Sequence, residues 1–158
     1  MIRAYTRDDN EELIALLQLN IPQYFAESEV NDYIEYLDQH ADNYFVVEED
    51  GNIIGAGGYN LGFDEGKTAR ISWDIVHPAF QGKGIGKALT LHRIEHINKN
   101  PAIDRIVVRT TQLVYKFYQK LGFELEKTEK DYWAKGFDLY QMSMFLDNHT
   151  SANHSQII

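Results

Sequence analysis

The chain has 158 residues, 44% hydrophobic and 25% charged, proportions ordinary for one globular domain with a real core. It holds no cysteine, which excludes disulfides, thiolate metal sites and a cysteine nucleophile, and its net charge of −9 argues against nucleic acid as a partner. No apolar run approaches the roughly 18 residues of a membrane span, and the opening "MIRAYTRDDNEEL" lacks a signal-peptide core, so no membrane partner is expected and the expected location is cytoplasmic.

In chain order, "IRAYT" reads as a short strand. "RDDNEELIALLQLN" reads as a helix, with acids in its first turn and Leu13, Leu16 and Leu17 at helical spacing. Pro22 ends that segment, and "ESEVNDYIEYLDQH" is predicted as a second helix with Val30, Ile34 and Leu37 on one side. "NYFVVEEDGNIIGAGGYNL" is a hairpin turning at Asp50-Gly51. "TARISWDIVHP" is a strand closed by Pro78; a glycine-rich turn and a helix, "KALTLHRIEHINKN", follow. Around that helix Ile85, Ala88, Leu91, Ile94 and Ile97 recur every three positions, so the stripe drifts about the axis and predicts burial on several sides.

"DRIVVRT" is a strand, and "QLVYKFYQKLGF" a helix with Leu113, Phe117 and Leu121 stacked and Gly122 as its C-cap. "FELEKTEKDYWAKGFDLYQMSMFL" gives two strands around Lys135-Gly136. The order β-α-α-β-β-β-α-β-α-β-β predicts a single α/β domain over 1–146, a mixed central sheet flanked by helices. Residues 147–158 form a polar tail without periodicity, expected to fray. Charge is unevenly divided: residues 1–80 hold 4 Lys/Arg and 16 Asp/Glu, residues 81–158 hold 11 and 8. An anion on the second half and a cationic partner on the first would match that division; solvated surface charge is the plainer reading.

The stretch "HPAFQGKGIGKAL", residues 77–89, sets Gly82, Gly84 and Gly86 where a strand hands over to a helix. Backbone N–H groups at such a turn attract phosphate, and glycine lets the ligand approach. It is no P-loop, because Ala88 stands where the magnesium hydroxyl is needed and Gln81 where the first glycine would be. It is no dinucleotide fingerprint either, since the third glycine position falls on Leu89. The pattern left is Gln-x-x-Gly-x-Gly, filled by Gln81, Gly84 and Gly86.

"IVHPAFQGKGIGKAL" resembles the acetyl-coenzyme A pyrophosphate loop of the GNAT (GCN5-related) N-acetyltransferases. "TTQLVYKFYQKLGFE" resembles their second signature, a helix ending Tyr-x-x-x-Gly-Phe at Tyr118, Gly122 and Phe123. The resemblance implies a GNAT-like fold, acetyl-coenzyme A as cosubstrate, no metal, and acetyl transfer to a primary amine, either a small cationic amine or a lysine or N-terminal amine of a peptide. A homodimer would also be consistent with it. It implies cofactor contacts across Gln81, Gly82, Lys83, Gly84, Ile85, Gly86 and Lys87. It further implies that the strand before the loop splays from "DRIVVR", freeing backbone at Ile75 and Val76, with the Val76 N–H polarising the acetyl carbonyl. Thr111 falls where many members carry an Asn that touches the pantetheine arm.

Tyr118 matches the tyrosine that faces the coenzyme A sulfur, where a phenol of pKa near 10 can protonate a thiolate; it also fits a plain core position. Asp74 lies two residues before Val76 on the same strand face and is the carboxylate of "ISWDIVHP", a candidate general base or ammonium contact. His77 is a second candidate, expected at the surface. The acids of "ESEVNDYIEYLD" and the aromatics Tyr24, Tyr33, Tyr36, Tyr132 and Trp133 suit a cationic acceptor. A non-catalytic acetyl-coenzyme A-binding module would keep the loop yet could dispense with Tyr118 and Asp74. "HRIEH", residues 92–96, matches an inverted zinc-protease signature, but no third ligand is marked, and His92 and His96 read as partly exposed helix residues. "NHT" at Asn148 is a formal glycosylation sequon.

Overall fold

The computed structural model of the chain describes residues 1–146; the polar tail, expected to fray, and the sequon at Asn148 lie outside the described residues. Asp50 and Gly51 take left-handed φ of 51° and 79°, the two positive angles of a tight hairpin turn, and join β2 (Tyr44–Glu49) to β3 (Asn52–Phe63). Gly136, at φ 86°, serves the turn between β6 (Glu124–Ala134) and β7 (Phe137–Phe145). With β1 (Ile2–Ala4), β4 (Thr68–Val76) and β5 (Arg105–Thr110) these strands form one seven-stranded sheet in the order β1-β2-β3-β4-β5-β7-β6. β4 and β5 run parallel and the other neighbours antiparallel.

Period-two alternation divides the core between the two sheet faces. Tyr44 and Val46 of β2 join one cluster with Leu13, Leu16 and Leu17 of α1 (Asn10–Gln18) and Tyr33 and Leu37 of α2 (Val30–Gln39). Phe45 and Val47 join the other, with Leu89 and Ile97 of α3 (Ile85–Asn98) and Tyr118 of α4 (Tyr115–Lys120).

α1 buries the three leucines that its spacing predicts. α2 is turned differently: Tyr33, Tyr36 and Leu37 are buried, whereas Ile34 is exposed. The Tyr33 and Tyr44 hydroxyls share a buried hydrogen bond of 2.8 Å, which lets a phenol occupy what reads as an aliphatic position. The expected all-round burial of α3 is corrected. Its buried residues are Leu89, Thr90, Arg93 and Ile97, while Ala88 and Leu91 face solvent. The true stripe is i, i+4, i+8 with an arginine at its centre, so a count of apolar residues misses it. α4 is shorter than predicted, because the Thr111 carbonyl accepts from both the Val114 and Tyr115 N–H groups and holds 111–114 as a turn. Leu113 is exposed, Tyr118 is the buried residue, and Gly122 at φ 106° follows the last turn.

Gly58 of β3 has no room for a side chain. A Cβ there would overlap the Asn43 carbonyl oxygen and lie 2.6 Å from Tyr44 Cδ1, and that carbonyl is already held by the Tyr59 N–H. Gly58→Ala is expected to cost about 3 kcal/mol by overpacking, measured as a lowered midpoint of urea unfolding with an unchanged slope.

Candidate functional site

β4 carries the site because its two edges differ in length. It pairs with β3 from Thr68 opposite Phe63 to Val76 opposite Gly55. Its pairing with β5 stops at Ile71 opposite Val108. Beyond that point a cleft of about 750 Å³ opens between Ser72–Val76 and 108–111, running from the glycine loop to Tyr24, Tyr36 and Trp133. The His77 N–H donates to the Ile54 carbonyl (2.8 Å), so alternation turns the N–H and C=O of Val76 to the open edge. There the Val76 carbonyl accepts from Gln81 Nε2 at 3.4 Å.

Between the pairs Ala56–Ile75 and Gly58–Ser72 the register slips, and Trp73 takes φ 50°, a left-handed angle unusual for an aromatic residue. Its carbonyl accepts from the Tyr44 hydroxyl at 2.8 Å, and its ring stacks on Phe25. The bulge places Asp74 on the side of α3 and α4. Opposite it, Gly57 leaves the necessary space: a Cβ at Gly57 would overlap Asp74 Oδ1 and lie 2.9 Å from Arg93 Nη1.

Arg93 has a side-chain exposure of 0%. Its Nε donates to the Leu89 carbonyl (3.2 Å), Nη1 to the Gly58 carbonyl (3.0 Å), and Nη2 to Thr90 Oγ1 (3.2 Å) and Asp74 Oδ2 (2.9 Å). Nη1 also makes an ion-pair contact with Asp74 Oδ1. The Tyr118 hydroxyl donates to Asp74 Oδ2. Burial first, and then the charge of Asp74, push the Tyr118 phenol well above its ordinary value. Asp74 is thus engaged by a guanidinium and a phenol at once.

The loop before α3 begins with a single turn, Pro78–Phe80, capped by His77, whose Nδ1 accepts from the Ala79 N–H (3.0 Å). His77 is half-buried, at the edge of the cleft-side loop where a surface residue was expected, and its ring is engaged by that turn. Gly82 and Gly84 take φ of 79° and 84°, angles that L side chains rarely adopt, and Gly84 is the residue before the first turn of α3. The first N–H groups of that turn have no carbonyl one turn earlier in the helix to bond. Gly86 has another reason to be small. A Cβ there would sit 3.3 Å from Phe117 Cζ, so this glycine, which also lines the cleft, lets α3 pack closely on α4. Ile75, Gln81, Gly82, Ile85 and Lys87 line the cleft along with Thr111, whose Oγ1 accepts from the Leu113 N–H. Lys83 stands apart, its Nζ 5.3 Å above the Phe80 ring.

At the far end, Glu29 is the one acid of the second helical segment that lines the cleft; Asp32, Glu35 and Asp38 point to solvent. Burial raises Glu29 above the usual carboxylate value, against the lowering effect of the Ala26 N–H that donates to it. Tyr36, pushed up to about 12 chiefly by burial, donates to Asn60 Oδ1 (2.9 Å). Tyr33 belongs to the core, and Tyr132 lies exposed against Trp133. Two charged cleft residues escaped the sequence reading, Arg70 of β4 and Arg109 of β5. Arg70 sits in the polar phase of "TARIS" and Arg109 ends the apolar run of "IVVRT", and neither position marks a cleft in the sequence. That end of the cleft is therefore of mixed charge and not simply acidic. In the "HRIEH" stretch, His96 Nδ1 and the Tyr59 hydroxyl share a hydrogen bond (2.7 Å) and His92 packs edge-on against Phe45. Among the described residues no three His, Cys, Asp or Glu side chains converge as a metal site.

A sequence model of the acetyltransferase (GNAT) family matches residues 10–123, a span that contains the loop, the bulge and Tyr118. The chain belongs to the GNAT family. It is 32% identical over 91 residues to an amino-acid acetyltransferase of Pasteurella multocida (strain Pm70), a match covering 58% of this chain and 20% of that protein. The chain thus spans about a fifth of that relative's length. The ribosomal-protein-alanine N-acetyltransferase of Brucella melitensis superposes with a TM-score of 0.73 at 20% identity, over 92% of this chain and 99% of that one. An aminoglycoside 6'-N-acetyltransferase complexed with coenzyme A gives 0.74 at 14% identity, over 92% and 96%. Both are likenesses of fold.

In this GNAT chain Arg93→Met alone is expected to destabilise by about 3 kcal/mol, because the Asp74 carboxylate loses its counter-ion inside the protein. Arg93→Met with Asp74→Leu is expected to recover most of that loss. Denaturant unfolding of the four proteins, analysed as a double-mutant cycle, measures the coupling.

Proposed function

We propose that residues 1–146 form an N-acetyltransferase domain that moves an acetyl group from acetyl-coenzyme A to a primary amine by direct attack. The observation that carries this reading is the continuity of one cleft. It joins the left-handed Gly82 and Gly84 at the head of α3, the open edge of Val76 and the Tyr118 hydroxyl. The relatives' names mention amino-acid, ribosomal-protein alanine and aminoglycoside acceptors, all of them amines.

The loop from Gln81 to Lys87 would hold the pyrophosphate on backbone N–H groups at a helix N-terminus. Ile75, Val76 and Thr111 would flank the pantetheine arm where β4 and β5 part. Bound there, acetyl-coenzyme A supplies an activated thioester. The Val76 N–H, turned to the open edge, donates to the oxygen on which charge develops. Glu29, a desolvated carboxylate at the acceptor end, takes the amine proton, a role that Asp74 is poorly placed to fill while Arg93 and Tyr118 hold it. A phenol held well above 10 releases its proton less readily than a thiol of about 8.5. Tyr118 therefore keeps its proton, and its one O–H, given to Asp74 Oδ2 in the free protein, turns from that carboxylate to the departing sulfur. The alternative, a non-catalytic acetyl-coenzyme A-binding module, would share the buried Asp74–Arg93–Tyr118 cluster and differ in releasing no thiol with any amine.

Calorimetric titration with acetyl-coenzyme A is expected to show micromolar binding that Gly84→Glu weakens at least about tenfold, by placing an anion where the pyrophosphate should rest. No binding by the wild type would sink the reading. Thiol release measured against pH is expected to rise through a pKa above the ordinary carboxylate value of about 4.3, because Glu29 is inactive while protonated. Glu29→Gln should remove that acid limb and lower the plateau about 10²-fold; an unchanged limb would take Glu29 out of the base role.

A further inference from the structure

We propose that the acceptor carries an oxyanion, a carboxylate or a phosphate, beside its amine, and that Arg70 and Arg109 bind it. This rests on the acetyltransferase reading above. Ala69 and Ile71 of β4 and Ile106 and Val108 of β5 point into the α3 side of the core, which leaves Arg70 and Arg109 on the opposite face of the sheet. Arg70 stands opposite Val107, so Arg109 lies two residues further along the neighbouring strand, just past the last β4–β5 pair. Both side chains line the cleft.

Their surroundings are aromatic, and the acid that acts on Arg70, Asp64, makes its ion pair with Arg105 instead. The Arg70 guanidinium lies 3.9 Å above the Phe63 ring. That of Arg109 is 5.1 Å from the Tyr132 ring and 5.7 Å from Trp133, and its Nη2 donates to the Tyr132 hydroxyl (2.9 Å). Arg109 Nε is buried with no hydrogen-bond partner. Arg3, Arg7, Arg93 and Arg105 each pair with a carboxylate, whereas among the described residues Arg70 and Arg109 make no ion pair. The two unpaired arginines of the described chain are thus the two that face the cleft.

A desolvated guanidinium without a partner is costly, and two of one sign on the same face repel. Ring faces attract a cation but leave its N–H fork unfilled, and that fork matches the paired oxygens of a carboxylate or phosphate. The cleft carboxylates do not supply those oxygens: Asp74 is taken by Arg93, and Glu29 is held by the Ala26 N–H on the far wall. With Glu29 for the amine and the arginines for the anion, the site selects an acceptor bearing both charges. A peptide N-terminus presents a neutral amide next to its amine and leaves the arginines unmatched.

The test compares matched acceptors by thiol release: each of the common amino acids against its amide, and phosphoethanolamine against ethanolamine. At least one oxyanion-bearing acceptor is expected to exceed its neutral partner about tenfold or more in kcat/KM. Arg70→Gln and Arg109→Gln should each collapse that ratio through a raised KM, and Arg→Lys at either position should restore part of it. The pair that responds tells carboxylate from phosphate. Equal use of both members, preference for the neutral ones, or a ratio that survives both glutamine variants would each overturn the inference and leave the acetyltransferase reading intact, whereas turnover of none while acetyl-coenzyme A binds would overturn the inference and favour the non-catalytic module. Failure to bind acetyl-coenzyme A would remove the reading itself. Should a variant fail to fold, the wild-type comparison alone decides.

Discussion

A guanidinium with no access to water stands at the centre of this fold. Burying the charge of Arg93 is unfavourable by several kcal/mol unless its donors and its counter-ion are all satisfied, and the surrounding structure is arranged to do so. Gly57 gives up its side chain to make room, Gly58 and Leu89 offer carbonyls, Thr90 its hydroxyl, and Asp74 the charge. The bulge at Trp73 is what brings that carboxylate to the right face. Tyr118 then docks onto the same carboxylate. Elements far apart in sequence are fixed to one another by two side chains, Arg93 joining α3 to β3 and β4 and Asp74 joining β4 to α4, so the phenol is oriented before any ligand arrives.

The second constraint is the unequal edge of β4. Backbone N–H and C=O groups that leave a ladder must find other partners. Gln81 reaches back to one of them, the Val76 carbonyl. An extended, amide-bearing ligand entering between diverging strands meets the rest in the manner of an added strand. The same divergence exposes Arg109 to the cleft, since its register position on β5 has no neighbour on β4.

Features fixed by neighbours in sequence were legible there. The Asp50-Gly51 turn, the leucines of α1 and the Gly82–Gly84 loop each follow from residues a few positions apart, and the family signatures at 75–124 mark the cleft. What escaped depends on distant partners. Arg93 hides the stripe of α3, because hydropathy counts it as surface until Asp74 is known to lie beside it. Ile34 yields its place to Tyr33 only because Tyr44 supplies a hydroxyl. Nothing in "ISWDIV" marks Trp73 for a positive φ, and a strand's polar phase does not reveal that it lies in a cleft, which is why Arg70 and Arg109 were not singled out.

The hydroxyl chain beneath the bulge has a direction. Tyr44 gives its proton to the Trp73 carbonyl, so Tyr33 must give its own to Tyr44, and the sequence of donors runs one way from α2 to β4. Trp73 is followed at once by Asp74, and Asp74 holds Tyr118. Two hydrogen bonds and one peptide step thus join α2 to the carboxylate that holds Tyr118, so a change in the seating of α2 on the sheet is not local to that helix.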